Sequence, residues 1–163
     1  MSSLIHQAAP PWQVTGWLNA PAALTPDALR GQVVVLVVFQ MLCPSCVSQA
    51  LPQALRVHHQ FPLGQVAVVG LHSVFEHHAV MNAEALRAFL QQYRIPFAVG
   101  IDAHDSGKGT PLTMRAYALE GTPSLVLIDR GGRLRLKHFG RIEDLRLGAE
   151  IAALLAEPIE GAT

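Results

Sequence analysis

The sequence has little charge, and the charges it has cancel. Only 15% of its 163 residues are charged, and 12 lysines and arginines are balanced by 12 aspartates and glutamates. A chain without a basic excess has no long-range attraction for nucleic acid or for an anionic membrane surface. We therefore expect no nucleic-acid partner.

Long apolar segments are missing as well. The longest, Val33–Phe39, is far shorter than the ~20 residues of a membrane-spanning helix, so no membrane insertion is expected. Residues 1–10 show neither the basic stretch nor the apolar centre of a secretory signal. These features predict a cytoplasmic location, or an exported one if a longer precursor was trimmed.

Cysteine is scarce, and the two that occur are close together. They form the motif Cys43-Pro44-Ser45-Cys46, which comes shortly after the apolar run and before a helical pattern. A sulfur at a helix start lies among unpaired backbone N–H groups, which stabilise a thiolate over a thiol. The second sulfur lies one helical turn further on, close enough to close a small disulfide ring. The motif therefore predicts that Cys43 is a nucleophile and that Cys46 resolves the mixed disulfide.

Half of the residues are apolar, which is enough for one domain with its own core. Residues 1–11, with two adjacent prolines, are predicted to be a flexible N-terminal arm, and residues 12–163 to be the domain. Runs with strand and helix periodicity alternate along it. The predicted strands are 12–18, 33–39, 66–71, 97–101, 124–129 and 134–139, and the main helices run from the cysteines to 59 and over 82–93, 111–119 and 143–156.

Several local features refine these elements. Strands separated by helices predict an α/β fold with a parallel portion, and the final hairpin adds an antiparallel edge. Pro52 predicts a kink in the helix after the cysteines. Asn82 is the predicted N-cap of a helix whose apolar stripe includes Tyr93, a residue expected in the core.

Three stretches resemble the thioredoxin superfamily, and within it the TlpA-like (redoxin) branch of thiol–disulfide oxidoreductases. They are the strand 31–39 with its C-x-x-C motif, the turn Gly121-Thr122-Pro123, and the hairpin from Leu127 to Gly140. In order, the matching elements cover about residues 12–156. The resemblance implies a three-layer α/β sandwich with a central mixed sheet flanked by helices, and an extra βα insertion after the active-site helix.

The resemblance also implies the parts of a redox site. Pro123 is expected to follow a cis peptide bond and to face the cysteines, and the backbone of Thr122 to pair with an incoming substrate. No bound cofactor is expected. The expected partners are a protein or small-molecule disulfide as substrate and an upstream thiol reductant.

The sequence departs from the family pattern beside the first cysteine. Leu42 replaces a common tryptophan, and Pro44-Ser45 replaces the Gly-Pro of typical thioredoxins. Pro44 has no N–H to offer to the Cys43 sulfur, whereas Ser45 brings a hydroxyl. Because these two effects oppose each other, the redox potential and the net direction stay open.

A second departure concerns the proton acceptor for Cys46. Val37 stands where thioredoxins keep a buried acid, and TlpA-like proteins often carry an acidic residue just after the next strand instead. The corresponding region of this chain offers His72 and Glu76. The resemblance therefore suggests one of these two side chains as the proton acceptor.

Two alternatives to disulfide exchange follow from the same cysteines. A peroxiredoxin-like, antioxidant peroxidase would carry proline and threonine at the positions that Leu36 and Gln40 occupy. A non-catalytic metal-binding protein would combine the thiols with the histidines of the segment 72–78. Zinc needs four ligands, however, usually including a second closely spaced pair, so we predict no metal.

Overall fold

A mixed sheet of six strands forms the centre of the computed structural model, which describes residues 3–106 and 109–159. The strand order is β1-β4-β3-β2-β5-β6. Strands β2, β3 and β4 are parallel, while β1, β5 and β6 each run antiparallel to a neighbour. The strands are β1 (Val14–Leu18), β2 (Val33–Phe39), β3 (Val66–His72), β4 (Val99–Asp102), β5 (Ser124–Ile128) and β6 (Leu134–Phe139).

Helices cover both faces of this sheet. The α-helices are α1 (Leu51–Gln60), α2 (Ala83–Gln92), α3 (Leu112–Ala116) and α4 (Asp144–Ala156). Helices α1, α2 and α4 pack on one face, and α3 packs on the other together with a short 3-10 helix, Asp27–Leu29. The predicted three-layer α/β sandwich is therefore confirmed. The units β3–α2 and β4–α3 lie between α1 and β5, where the sequence predicts an extra βα insertion.

The central strand β2 contributes to two cores. All of its residues are buried, as predicted from its unbroken apolar run, because helices cover both of its faces. Alternate side chains point to opposite faces: the odd-numbered ones join the α1, α2 and α4 layer, and the even-numbered ones join the layer that contains Tyr117.

Strand register brings distant segments together at the end of β2. Val38 lies opposite Ser124 of antiparallel β5, and Phe39 lies beside His72 of parallel β3. The residues that follow β2 therefore meet the turn before β5 and the loop after β3. This end of the sheet is the carboxyl end of its parallel strands, where α/β proteins commonly hold their sites.

The predicted element boundaries differ in a few places from the structure. Strand β4 begins at Val99 rather than at residue 97, and β3 continues to His72. Tyr93 is 51% exposed, so its prediction as a core residue is wrong. Helix α2 ends at Gln92, and the Tyr93 ring turns outward against Phe89, at a centroid distance of 4.5 Å.

The N-terminal segment lies along the start of β6. The His6 N–H donates to the Leu134 carbonyl, and the Leu134 N–H donates to the Gln7 carbonyl, at 2.7 and 2.9 Å. The Ala9 N–H adds a bond to the Gly132 carbonyl at 2.9 Å. His6, Gln7 and Ala9 therefore have backbone partners in the final hairpin, and the flexibility of residues 1–11 stays a prediction.

Candidate active site

The C-x-x-C motif forms the first turn of the helix that follows β2. The Cys43 N–H donates to the Gln40 carbonyl at 3.1 Å and closes the turn after the strand. The Cys43 carbonyl accepts from the Val47 N–H at 3.1 Å, and the Cys46 N–H points at the Cys43 sulfur, 3.3 Å away. Cys43 therefore lies at the helix start, as predicted, with a backbone donor directed at its Sγ.

The two cysteines differ sharply in exposure. Cys43 is half-buried, whereas Cys46 has no exposed surface. Burial, and after it the hydrogen bond with Cys43, raise the pKa of the Cys46 thiol to about 12. The backbone of Gln40 and the side chain of Thr122 act in the opposite direction. Cys46 is consequently a thiol that stays protonated until its surroundings change.

A wide helical turn follows the cysteines. Residues Cys46–Ala50 form a π-helix, and the Leu51 N–H donates to the Cys46 carbonyl. Pro52, in the first turn of α1, has no N–H to give to the carbonyl four residues earlier. A π-helix, a wider turn than the α-helix, therefore lies directly before Pro52, and the kink at Pro52 stays a prediction.

The turn before β5 faces the first cysteine. The Thr122–Pro123 peptide bond is cis, as the resemblance implies. The Cys43 S–H donates to the Thr122 carbonyl at 3.7 Å. The residues of the C-x-x-C motif and of the Gly-Thr-Pro turn, 79 positions apart in sequence, thus form one site.

Gln40 is a site residue whose only mark in the sequence is that it occupies the threonine position of the peroxiredoxin pattern. Its side chain is 1% exposed. The Gln40 Oε1 accepts from the Phe75 N–H at 3.1 Å, and its Nε2 donates to the Thr122 Oγ1 at 3.2 Å. A polar residue directly after seven buried apolar ones is the signal that could have identified it.

The predicted proton acceptors are not placed at the sulfurs. Within the described parts of the chain, no hydrogen bond joins His72 or Glu76 to either cysteine. His72 is the last residue of β3, and its Nε2 accepts from the Met41 N–H at 3.1 Å. Burial lowers the pKa of His72 to about 4, and Glu76 is exposed. His72 therefore lies within β3, and its ring makes a structural hydrogen bond with Met41 instead of one with a cysteine.

The histidines of the loop after β3 do not gather around the thiols. His78 lies against His104, with ring centroids 5.4 Å apart. Among the residues that the structure describes, no group of three or more His, Cys, Asp or Glu side chains is placed to share a metal ion.

In residues 3–106 and 109–159, the structure also contains no helix with the length and hydropathy of a membrane span.

The positions diagnostic of a peroxidase are occupied differently. Leu36 is fully buried within β2, and the Gln40 amide bonds to Thr122 and Phe75 rather than to the Cys43 sulfur. Neither group is therefore placed to polarise a peroxide at Cys43.

A groove of about 520 Å³ runs beside the cis proline. Pro123 forms one part of its wall, the π-helix a second, and the segment 140–145 a third, with Val37 and Leu125 also in its lining. Its charged side chains are paired: Arg56 with Asp144 at 3.0 Å, and Arg141 with Glu143 at 3.3 Å. The groove is thus close to neutral.

A C-x-x-C at a helix start that faces a cis-proline turn, at one end of a mixed sheet, defines the class of thioredoxin-type redox proteins. The solved structure of a thioredoxin-like superfamily protein is 51% identical to this chain and superimposes with a TM-score of 0.90, covering 93% of this chain and 97% of that one. The chain belongs to the thioredoxin-like superfamily.

Two further relatives carry functional names. A thiol-disulfide isomerase from Corynebacterium glutamicum is 47% identical, with a TM-score of 0.88 and coverage of 92% of this chain and 98% of its own. The thiol:disulfide interchange protein DsbE of Allochromatium vinosum is 28% identical over 155 residues, which are 95% of this chain and 77% of that protein. No protein-family model matches the sequence. Together with the C-x-x-C pair, these relatives make the chain a thiol–disulfide oxidoreductase, which requires a disulfide substrate and a redox partner.

Proposed function

We propose that Cys43 attacks disulfides in polypeptide substrates and that Cys46 resolves the intermediate. The observation that carries this order is the difference in exposure: Cys43 is half-buried and its sulfur receives a backbone N–H, while Cys46 is fully buried. A large substrate can therefore reach only the first sulfur.

In the reductive direction, the chemistry takes two exchanges. The Cys43 thiolate attacks one substrate sulfur, so that a Cys43–substrate disulfide forms, the substrate disulfide breaks, and the departing thiolate takes up a proton. Cys46 then loses its proton and attacks the Cys43 sulfur. The Cys43–Cys46 disulfide forms, the second substrate thiolate leaves with a proton, and the protein is oxidised by two electrons. An upstream dithiol restores the reduced pair.

The Thr122 carbonyl suits a polypeptide substrate. In the reduced protein it accepts the Cys43 S–H. Once Cys43 is in a disulfide, that hydrogen is gone, and the carbonyl can accept a backbone N–H from an extended substrate segment instead. The neutral groove beside Pro123 then offers room for one substrate side chain.

We extend the proposal to branch and compartment. The hairpin Ser124–Phe139 and the strand before the cysteines support a TlpA-like assignment, and a cytoplasm that keeps thiols reduced would make the protein a reductase. An antioxidant contribution would then come from the reduction of disulfides that oxidants have formed from protein thiols.

A trapping experiment tests the order of the thiols. Cys46→Ser lacks the resolving sulfur and is expected to accumulate mixed disulfides with substrate polypeptides that reductant releases. Cys43→Ser is the matched control and should trap none. Equal trapping by both variants, or two freely alkylated cysteines in the oxidised wild-type protein, would contradict the proposal.

A further inference from the structure

Gln40 contacts both halves of the active site. Its backbone carbonyl accepts from the Cys43 N–H at 3.1 Å, which fixes the turn that carries the first cysteine. Its side chain, 1% exposed, reaches the opposite half, where Nε2 donates to the Thr122 Oγ1 at 3.2 Å. The Oε1 accepts from the Phe75 N–H at 3.1 Å, in the loop after β3. One buried residue therefore links the segment of Cys43 to that of Thr122.

The donors determine how this amide is oriented. The backbone N–H of Phe75 can only donate, so the amide atom that faces it is the oxygen. The nitrogen therefore faces Thr122 and donates to its hydroxyl oxygen. Both polar ends of the buried amide are thus used, and the loss of either partner would leave a buried group without its hydrogen bond.

The carbonyls of the turn before β5 differ in their partners. The Gly121 carbonyl accepts from the Ser124 hydroxyl at 2.7 Å, and the Pro123 carbonyl accepts from a backbone N–H of the segment after β6 at 2.8 Å. Among the described residues, the donor to the Thr122 carbonyl is the Cys43 S–H at 3.7 Å, and a thiol is a weak donor. The Thr122 carbonyl is therefore the one that a substrate N–H can take over most easily.

The bond between Cys43 and Thr122 is lost as the reaction begins. When Cys43 enters a mixed disulfide, its sulfur has no hydrogen to donate to the Thr122 carbonyl. Among the described residues, the hydrogen bond that Thr122 then retains is the one from Gln40. Because the Phe75 N–H holds the other end of the amide, the Gln40 side chain cannot follow Thr122 away from β2 without losing a second bond.

We propose that Gln40 is a positioning residue for polypeptide substrates, because it holds the Thr122 carbonyl where an extended substrate segment pairs with it beside the Cys43 sulfur. The inference rests on the proposed order of the thiols and on the proposed pairing with Thr122. In the first exchange the Cys43 thiolate attacks a substrate sulfur, the Cys43–substrate bond forms, and the substrate disulfide breaks. Gln40 exchanges no proton or electron in this step. A small disulfide without a peptide backbone gains nothing from the arrangement.

Two substrates with the same leaving group measure this effect on the reduced full-length protein. In each, an aromatic thiol whose thiolate absorbs visible light is joined by a disulfide to a second thiol. The second thiol is either a cysteine within an extended hexapeptide or ethanethiol. The aromatic thiolate is the better leaving group, so Cys43 bonds to the other sulfur and releases it. The ratio of the two second-order rate constants, peptide over ethanethiol, reports docking of the peptide backbone, because the reactivity of Cys43 cancels.

The variants remove one partner of the Gln40–Thr122 bond at a time. Gln40→Met lacks the amide, and we expect the ratio to fall on the order of fivefold, the effect of one hydrogen bond. Thr122→Val lacks the hydroxyl and should cause a similar fall, whereas Thr122→Ser keeps the hydroxyl and should keep the wild-type ratio. The double variant with Gln40→Met and Thr122→Val should fall no further than either single variant, because both remove the same bond.

A change in the substrate tests the same contact from the other side. In a series of hexapeptides, each is methylated at one backbone nitrogen and so lacks one donor. The peptide whose N–H pairs with Thr122 should lose its advantage over ethanethiol in the wild-type protein. With that peptide, Gln40→Met should lower the ratio no further.

Controls separate this role from a structural one. Asn82→Ala removes the cap of α2 and should keep the wild-type ratio whatever its loss of stability. If Gln40→Met does not fold, Thr122→Val and Thr122→Ser make the comparison. An unchanged ratio in Gln40→Met, equal ratios for the two Thr122 variants, or no loss with any methylated peptide would overturn the proposal. Rapid release of the aromatic thiolate by Cys43→Ser would instead contradict the proposed order of the thiols.

Discussion

Two thiols that are three positions apart have very different surroundings in this protein. The Cys43 sulfur is half-buried at a helix start, with the Cys46 N–H directed at it from 3.3 Å. The Cys46 sulfur lies below the first helical turn without exposed surface. The Cys43 sulfur can therefore contact a substrate, whereas the Cys46 sulfur can react only with the disulfide that Cys43 has formed. The attack on substrate and the resolution step thus take place at different depths in the protein.

This difference predicts selective alkylation. In single-cysteine variants at pH 8, iodoacetamide should label Cys43 in Cys46→Ser more than tenfold faster than Cys46 in Cys43→Ser, because each pKa unit above the ordinary 9.0 lowers the thiolate fraction about tenfold. Mass spectrometry over a pH series gives both rates. Unfolding in urea should make the two rates similar; faster labelling of folded Cys46 would refute the assignment.

At the same scale, the sequence could identify some site residues and not others. Cys43, Cys46 and Pro123 lie in motifs with characteristic neighbours, so their meeting could be expected. Gln40 belongs to no motif. Its hydrogen bonds to Thr122 and Phe75 depend on the strand register, which places Thr122 and the loop after β3 on either side of it. His72 is the last residue of β3, beside Phe39 of β2, and no motif in the sequence indicated its hydrogen bond with the Met41 N–H.

Helix starts and interruptions show how local chemistry shapes the elements. The Asn82 Oδ1 accepts from the Ala85 N–H at 2.9 Å, which confirms the predicted cap of α2. Pro52 predicts a kink in the helix after the cysteines, and the structure has a π-helix, Cys46–Ala50, directly before it. Local sequence signals therefore located the cap of α2, whereas the helical periodicity after the cysteines gave no sign of a π-helix.

Removal of the α2 cap provides a test at the element scale. Asn82→Ala leaves the Ala85 N–H without its partner and should lower the free energy of unfolding by about 1 kcal/mol. Gln91→Ala changes an exposed side chain in the last turn of the same helix and should stay within about 0.5 kcal/mol of the wild type. Urea unfolding of both variants makes the comparison; an equal loss in both would contradict the capping role.

On the scale of the whole molecule, the buried histidine couples folding to pH. His72 is neutral in the folded protein because burial lowers its pKa from 6.5 to about 4. The unfolded chain takes up a proton there below pH 6.5, so it binds more protons than the native state between those values. The resulting stability is fully present above pH 6.5 and is lost as the pH falls towards 4.

We expect this loss to reach on the order of 3 kcal/mol in the free energy of unfolding. His72→Gln keeps an acceptor for the Met41 N–H but does not titrate, so its stability should depend much less on pH between 6.5 and 4. Gln91→Ala, at an exposed position of α2, removes no titratable group and should retain the wild-type slope. Urea unfolding at several pH values measures all three; parallel curves for wild type and His72→Gln would exclude the histidine as the cause.

The backbone pairing of residues 6–9 with the final hairpin bears on how molecules of this protein can meet one another. An outermost strand presents unpaired donors and acceptors on which another chain can align, and β6 is such a strand. At its start these groups are occupied by His6, Gln7 and Ala9. Further along, Arg135 and Lys137 place charge on the strand. The N-terminal segment thus leaves fewer free backbone groups at the start of β6 on which a strand of another molecule could align.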